Sequence, residues 1–256
     1  YADNNTNAVA VSLINVSNNV GNGSIVSYNW TDINDSVYYW KVGCDDGYTN
    51  SSNTTTRLFT IDTTYPSVQL VSPANYTWSG GGFKFTATYI PVDTNLDSCT
   101  LYHNYNSLWG SNQTDSSPSD GQSNTFTIDV DETVDNEFIW NVLCNDTTGN
   151  SIMNATNWTV RIDTTLPTAF NLISPANNTY TSDNTPSLDW GATVEGNFLN
   201  YTIQFSENSN FNGVNYTFST VGSTANTSFI PNAAVNDAIW YWRVIAYDIG
   251  GNNQTS

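Results

Sequence analysis

One pattern recurs three times along the chain and limits what it can fold into. W-x-V-x-C/A-x-D appears at Trp40, Trp140 and Trp242, spaced by 100 and then 102 residues. Other landmarks keep the same period. IDTTYP (61–66) returns as IDTTLP (162–167), and SPANYT (72–77) returns as SPANNT (174–179). A self-similar period of about 100 residues is the size of one β-sandwich domain, and repetition at that length means tandem domains.

The segments between the landmarks alternate in hydrophobicity with period two, the mark of half-buried strands. In the second repeat these are SVQLVS, FKFTATY, SCTLYHN, NTFTIDV, EFIWNVLCN and NWTVRID; Gly80-Gly81-Gly82 and Ser117-Pro118 mark turns. In the third they are PSLDWGA, NYTIQFS, NYTFSTV, NTSFIP and IWYWRVIAYD. No helical period appears. The expected fold is all-β: tandem antiparallel β-sandwiches over residues 1–65, 66–166 and 167–256, the first and last incomplete.

Composition agrees with strands and excludes several functions. Thr, Tyr, Trp, Val and Ile dominate, and these favour pleated, half-buried surfaces. Aromatic residues make up 14% of the chain, ample for a core. Charged residues make up only 11%, against roughly 25% in ordinary soluble domains. Acidic side chains outnumber basic ones 23 to 5, for a net charge of −18. Phosphate contacts need clustered Lys and Arg, and here Lys41, Arg57, Lys84, Arg161 and Arg243 lie scattered. Nucleic acid and anionic membrane surfaces are therefore poor partners. No apolar run reaches the length of about 20 residues needed for a spanning helix, so this segment is not expected to insert in a membrane.

Seventeen asparagines sit in N-x-S/T sequons: Asn4, Asn15, Asn22, Asn29, Asn34, Asn50, Asn53, Asn75, Asn112, Asn145, Asn154, Asn157, Asn177, Asn200, Asn215, Asn226 and Asn253. The Asn, Ser and Thr content would produce about nine by chance. The excess predicts a heavily N-glycosylated, extracellular chain. Four sequons enclose an aromatic: Trp30, Trp158, Tyr201 and Tyr216. On a strand this would put Asn and Thr in solvent and the aromatic in the core.

The Trp190 strand, YTIQFSENSNF and YWRVIAYD resemble a fibronectin type III-like domain. SCTLYHN, WNVLCNDTTGN and IDTTLP of the second repeat resemble the immunoglobulin-like repeats of archaeal and bacterial cell-surface proteins. The resemblance implies a sandwich fold and a cell-surface location, and says little about function, because such sandwiches host many roles. Tyr1 aligns with Tyr89, so the first domain is expected to lack its first two strands. Ser256 falls just after the W-x-V strand, so the third is expected to lack a counterpart of NWTVRIDTT. Open edges recruit strands, which points to a longer array or to strand donation between subunits.

The cysteines read as structural. Phe138, Trp140, Val142 and Cys144 share one strand face, and Cys99 lies with Leu101 on the face of the preceding strand. A Cys99–Cys144 disulfide follows and suits an oxidising exterior. The expected partner of Cys44 falls near Val11, so Cys44 is expected to be a buried free thiol. Cysteine catalysis needs a lowered thiolate pKa and a base, and the only histidine, His103, belongs to another repeat and reads as a strand-end residue. No catalytic residue is expected.

Asp46, Asp146 and Asp248 recur after the Trp strands, and Asp62 and Asp163 recur in the IDTT linkers. Turn chemistry explains them, since Asp accepts backbone N–H bonds. The alternative is calcium at Asp46, Asp62, Asp146 and Asp163, as the resemblance to surface adhesins implies. Calcium needs six to eight oxygens, and there is no Asp-x-Asp-x-Asp-Gly loop. No other cofactor is expected. Residues 105–123 form a loop longer than its counterpart, and Leu108 and Trp109 in it would suit stacking on carbohydrate or protein.

The resulting expectation is a non-enzymatic extracellular structural protein: a glycan-coated rod at the cell surface, with copies of itself as partners in a filament, stalk or surface layer. The alternatives are an adhesin that binds carbohydrate or protein through its loops, and an accessory segment of a larger secreted enzyme.

Overall fold

The computed structural model describes residues 2–3, 15–18, 20–80, 84–105, 108–130 and 134–256. The expected all-β class holds throughout. Strands and turns account for the ordered structure, and among the described residues there is no helix.

The first module contributes one sheet, ordered β1 (Ala2–Asp3), β2 (Ser36–Trp40), β3 (Arg57–Ile61). Tyr38 is its buried aromatic. It stacks on Phe59 at 5.4 Å and meets the edge of Trp30 at 5.0 Å. Beyond Trp40 the chain leaves the sheet and folds into a hairpin that bridges Asp45 to Asn50. Cys44 lies in that hairpin, free and exposed, not buried as the repeat predicts. The physical reason is local. Its counterpart Cys144 continues a strand held on both sides, whereas β2 stops at Trp40 and places nothing over Cys44. The counterpart of Cys99, near Val11, lies outside the described residues, as does Asn4.

The second module is a two-sheet sandwich. Its strands are β4 (Ser67–Ser72), β5 (Thr77–Ser79), β6 (Phe85–Val92), β7 (Leu96–His103), β8 (Gly110–Asp115), β9 (Asn124–Ile128), β10 (Asn136–Asp146), β11 (Ser151–Met153) and β12 (Trp158–Ile162). One sheet runs β4-β6-β9. The other runs β5-β12-β10-β7-β8, with β11 on β10. Phe138, Trp140, Val142 and Cys144 all point inward from β10 and are fully buried. They meet Phe85, Ala87 and Tyr89 of the opposite sheet, because alternate residues of each strand face the core. Cys99 and Cys144 stand opposite each other in the β7–β10 register and form a disulfide. His103 ends β7, as expected. Part of the supposed 105–123 loop is the edge strand β8, paired along β7.

The third module repeats the plan with β13 (Leu172–Ser174), β14 (Leu188–Trp190), β15 (Phe198–Ser206), β16 (Tyr216–Val221), β17 (Ser228–Phe229), β18 (Tyr241–Asp248) and β19 (Asn253–Thr255). Its sheets are β13-β14-β17 and β16-β15-β18-β19. Trp190 and Tyr201 meet edge to face at 5.3 Å in its centre. Both SPAN segments carry a cis Ser–Pro bond and a positive φ four residues after the Ser, at Tyr76 (63°) and Asn178 (62°). The two modules therefore superpose by sequence position, Trp78 on Tyr180 and β10 on β18.

Candidate functional site

The repeated Asp, Thr and Asn residues converge on the two joints between modules. Each joint is built on an Ile-Asp-Thr-Thr linker, gripped from both sides.

The preceding module grips the two threonines. Thr63 and Thr64 donate from Oγ1 to the two carboxylate oxygens of Asp35, at 2.8 and 2.9 Å. Thr164 and Thr165 do the same to Asp135, at 2.9 and 2.7 Å, and the Thr164 amide adds a third bond at 2.7 Å. Asp35 and Asp135 each stand five residues before the module's Trp, at the mouth of the central strand. The backbone N–H of Thr63 and the hydroxyls of Thr63 and Thr64 hold the Asp35 carboxyl below its ordinary range. The Thr165 hydroxyl and the Thr164 amide do so for Asp135. A carboxylate that accepts several hydrogen bonds is favoured in its charged form.

The following module grips the aspartate and its carbonyl. Asn95 Nδ2 donates to Asp62 Oδ2 at 2.8 Å, and Asn150 Nδ2 donates to the Asp62 carbonyl at 3.1 Å and the Thr64 carbonyl at 3.2 Å. In the second joint, Asn197 Nδ2 donates to Asp163 Oδ2 at 2.9 Å and Asn252 Nδ2 to the Asp163 carbonyl at 2.6 Å. Both gripping asparagines close a five-residue turn on an aspartate. Asn150 and Asn252 bond through their own amide N–H and Nδ2 to Asp146 and Asp248 respectively.

The second joint is close-packed. A Cβ built on Gly80 would come within 2.8 Å of the Gly250 carbonyl and of Asn252 Oδ1. One on Gly250 would lie 3.0 Å from the Asp163 carbonyl. A side chain at Gly80 would force the Gly250 carbonyl to shift, and one at Gly250 would require its neighbours to give by a few tenths of an ångström.

The two turn aspartates differ electrically. Burial pushes the Asp146 carboxyl up, but the Asn150 amide, the Thr148 hydroxyl and two backbone N–H groups outweigh it, and the net direction is down. Asp248 moves the other way. Burial dominates there, and the negative charge of Asp163 adds to it.

The four aspartates expected as calcium ligands separate in space. Asp62 and Asp146 come together with Asp93, and one oxygen of each lies within 4.8 Å of the others. Asp163 sits in the second joint beside Asp248. Asp46 stays in the exposed first-module hairpin, where the amides of Thr49 and Tyr48 bond its Oδ1 and lower its pKa. The oxygens of Asp62 and Asp146 are already hydrogen-bonded to Thr64, Asn95, Thr148 and Asn150. Sequence reasoning missed Asp35, Asp135, Asn95, Asn197, Asn150 and Asn252. Two signals were present: an aspartate five residues before each Trp, and an asparagine four residues after each turn aspartate.

His103 is buried, accepts the Tyr105 amide at Nδ1, and has its pKa lowered by that burial. Cys44 belongs to another module. Leu108 is 92% exposed, and Trp109 tilts against Tyr102 with ring centres 6.0 Å apart.

None of the sixteen described sequon asparagines is buried; Asn75, Asn145, Asn154 and Asn200 are half-buried and the rest are exposed. The aromatic-in arrangement holds for Tyr201, which is fully buried, and in part for Trp30 and Trp158. It fails at Tyr216, which is exposed at the start of the edge strand β16 and rests on Phe218 and Trp240. Thr159 also departs from it, buried between β10 and the Asn75–Tyr76 turn that bonds its backbone.

No protein-family model matches the chain, and no curated protein matches its sequence. Among solved structures, the fibronectin(III)-like modules of CbhA from Clostridium thermocellum align over 74% of this chain and 90% of their own, at 13% identity and TM-score 0.49. The FN1–FN3 domains of chicken CNTN1 align over 86% and 77%, at 13% identity and TM-score 0.43. A tetra-tandem repeat from the extending region of a large adhesion protein aligns over 90% and 57%, at 16% identity and TM-score 0.35. The strand order within the second and third modules places them, on its own evidence, in the immunoglobulin-like and fibronectin type III-like class of sandwich. The chain is a tandem array of such modules.

Proposed function

We propose that this chain is a non-enzymatic structural protein of the cell exterior, an N-glycosylated rod that builds a surface filament, stalk or layer with copies of itself. The observation that carries the reading is the joint. The same linker chemistry is used twice, with the threonines bound to the module behind and the aspartate bound to the module ahead. Such a linker resists bending, which suits a spacer and has no role in a freely swivelling enzyme appendage. The accessibility of the sequons and the strongly negative surface support a solvated, glycan-covered exterior. In this reading the joint is held by the hydrogen bonds to the oxygens of Asp62 and Asp146, with no cofactor required.

Electron microscopy of native material tests the assembly. Regular filaments or arrays whose axial repeat matches a few sandwich lengths are expected, and dispersed single particles would overturn it. Glycopeptide mass spectrometry tests the coat: occupied sequons are expected across the modules.

Adhesion is the second reading, favoured by the exposed Leu108 beside Trp109. Saturable binding to a glycan array or to cells, abolished by Trp109→Ala, would establish it.

A further inference from the structure

The surface that leads into the second joint carries a chemistry that the first joint lacks. Glu137 and Arg161 stand opposite each other on β10 and β12, and Arg161 Nε donates to the Glu137 carboxylate. The same cross-strand place in the first module holds Val37 and Thr60. The sheet and its linker therefore form without this ion pair. The Arg161 guanidinium lies over the rings of Tyr76 and Trp78, 5.3 and 5.2 Å from their centres. Tyr76 is 60% exposed and Trp78 is half-buried.

Trp78, Glu137 and Arg161 also line a cleft of about 300 Å³, together with Asp135, Asp163 and Asn197. Asn197 comes from the third module, so the cleft spans the joint. Asp135 and Asp163 are already engaged, by the linker threonines and by Asn197. An anion would meet these two charges, and a cation would compete for the carboxylates that hold the joint. Glu137 and Arg161 cancel in charge, and no described residue hydrogen-bonds the Arg161 Nη groups. The pair thus offers donors and acceptors without net charge, which a wholly apolar ligand would leave unpaired. A ring with hydroxyls on its rim and C–H groups on its faces satisfies the pair and stacks on the indole.

The sequon Asn75-Tyr76-Thr77 opens the same track. Asn75 Oδ1 accepts the Thr159 amide at 2.8 Å, which ties that oxygen to β12 and leaves Nδ2 for attachment. The chain from Asn75 to Trp78 spans at most about 10 Å at roughly 3.3 Å per residue, a distance that two linked pyranose rings cover. We propose that this track binds the pyranose rings of a neutral saccharide, one on Tyr76 and a further one in the cleft against Trp78, with its hydroxyls on Glu137, the Arg161 Nη groups and Asn197. The geometry favours the N-glycan of Asn75 as the source, and a free saccharide offers the same chemistry. Attachment transfers the anomeric carbon of a phosphate-activated saccharide to Nδ2, which loses one proton as the phosphate leaves. Seated there, the glycan bridges the second joint and restrains the third module through Asn197. This deepens the glycan-coated rod reading above and rests on it.

The test compares the native chain with Asn75→Asp made in the same host. Aspartate keeps an oxygen to accept the Thr159 amide and lacks the nitrogen that carries a glycan. Hydroxyl-radical oxidation of Trp78, read by mass spectrometry of its peptide, is expected to be about threefold slower in the native chain, because a seated ring covers the indole. Adding the oligosaccharide released from native material to the variant is expected to restore the protection. Glu137→Val with Arg161→Thr, which imports the first module's own pair, is expected to remove it from the native chain and leave the sandwich folded. Protection missing from the native chain, but produced in both chains by the added oligosaccharide, would assign the cleft to a free saccharide. No protection in either arm, or protection that survives the double substitution, overturns the proposal. Glycopeptides at the other sequons judge the coat separately, so an unprotected Trp78 on a chain glycosylated elsewhere sinks this site and leaves the coat standing.

Discussion

Asn252 donates to the main-chain carbonyl of Asp163 at 2.6 Å, so a turn of the third module holds the linker that leads into it. Asn150 bears the same relation to Asp62 in the first joint. These side chains link the modules without belonging to either core, which makes them selective probes of stiffness.

Asn150→Ala and Asn252→Ala are expected to loosen their joints and leave the sandwiches folded. Each removes hydrogen bonds with a net worth of about 1 kcal/mol apiece. Small-angle scattering of the double variant should show a broader distribution of module separations than the parent. An unchanged distribution would mean that the joints draw their stiffness from elsewhere.

Gly80→Ala and Gly250→Ala are expected to disturb the second joint sterically, because each new Cβ meets a carbonyl at 2.8 or 3.0 Å. A cost of roughly 1–3 kcal/mol is typical for forced overpacking. The readout is residual dipolar couplings across residues 162–167. Retention of the parent inter-module orientation would contradict the packing argument.

Acid should loosen the two joints unequally. The Asp35, Asp135 and Asp146 carboxyls lie below their ordinary values when folded, so their stabilisation is full above an unfolded pKa of 3.8 and is lost as pH falls through the folded pKa. Asp248 lies above its ordinary value, so its contribution is present below 3.8 and lost as pH rises through the folded value. The first joint therefore weakens steadily on acidification below about pH 4, while Asp248 offsets part of the loss in the second. Amide shifts of Thr64 and Thr165 followed from pH 7 to 2 check this; equal loosening of both joints would refute it.

Removing the Cys99–Cys144 bond with a double alanine substitution should cost the second module about 4 kcal/mol, the loop-entropy value for a separation of 45 residues. Denaturant unfolding should show that module melting earlier than in the parent while the third keeps its midpoint.

Millimolar calcium is expected to leave the thermal midpoint of the first joint and second module within about one degree. Binding to the folded state alone would raise it in proportion to the logarithm of ligand concentration. A concentration-dependent rise that Asp93→Asn abolishes would show that Asp62, Asp93 and Asp146 hold the ion.

The sandwich was legible because its core strands alternate. Phe138, Trp140, Val142 and Cys144 announce one face, and their recurrence at Trp40 and Trp242 sets the period. The edge strand β8 was not legible. GSNQTD is polar on both faces, since an edge strand outside the core has nothing to bury, and its pairing is written in β7. Cys44 misled because a repeat carries over sequence position but not the neighbouring strands that make a position an interior one. The joints lay between the two cases. Their aspartates were visible as recurring residues, but the bonds that give them meaning run from Asp62 to Asn95 and Asn150, from Asp163 to Asn197 and Asn252, and from Asp35 and Asp135 to threonines roughly 30 residues away. Local pattern reading pairs each Asp with its own turn.

The disulfide gives the modules different behaviour under pull. With Cys99 tied to Cys144, the 45 residues of separation between them cannot be drawn out, which withholds roughly 150 Å of contour length at about 3.4 Å per residue. The third module has Tyr201 and Ala246 opposite each other in the equivalent strand pair and carries no such tie. Stretched from its ends, the chain would yield a long release from one module and a short one from its neighbour: a tether with a built-in stop.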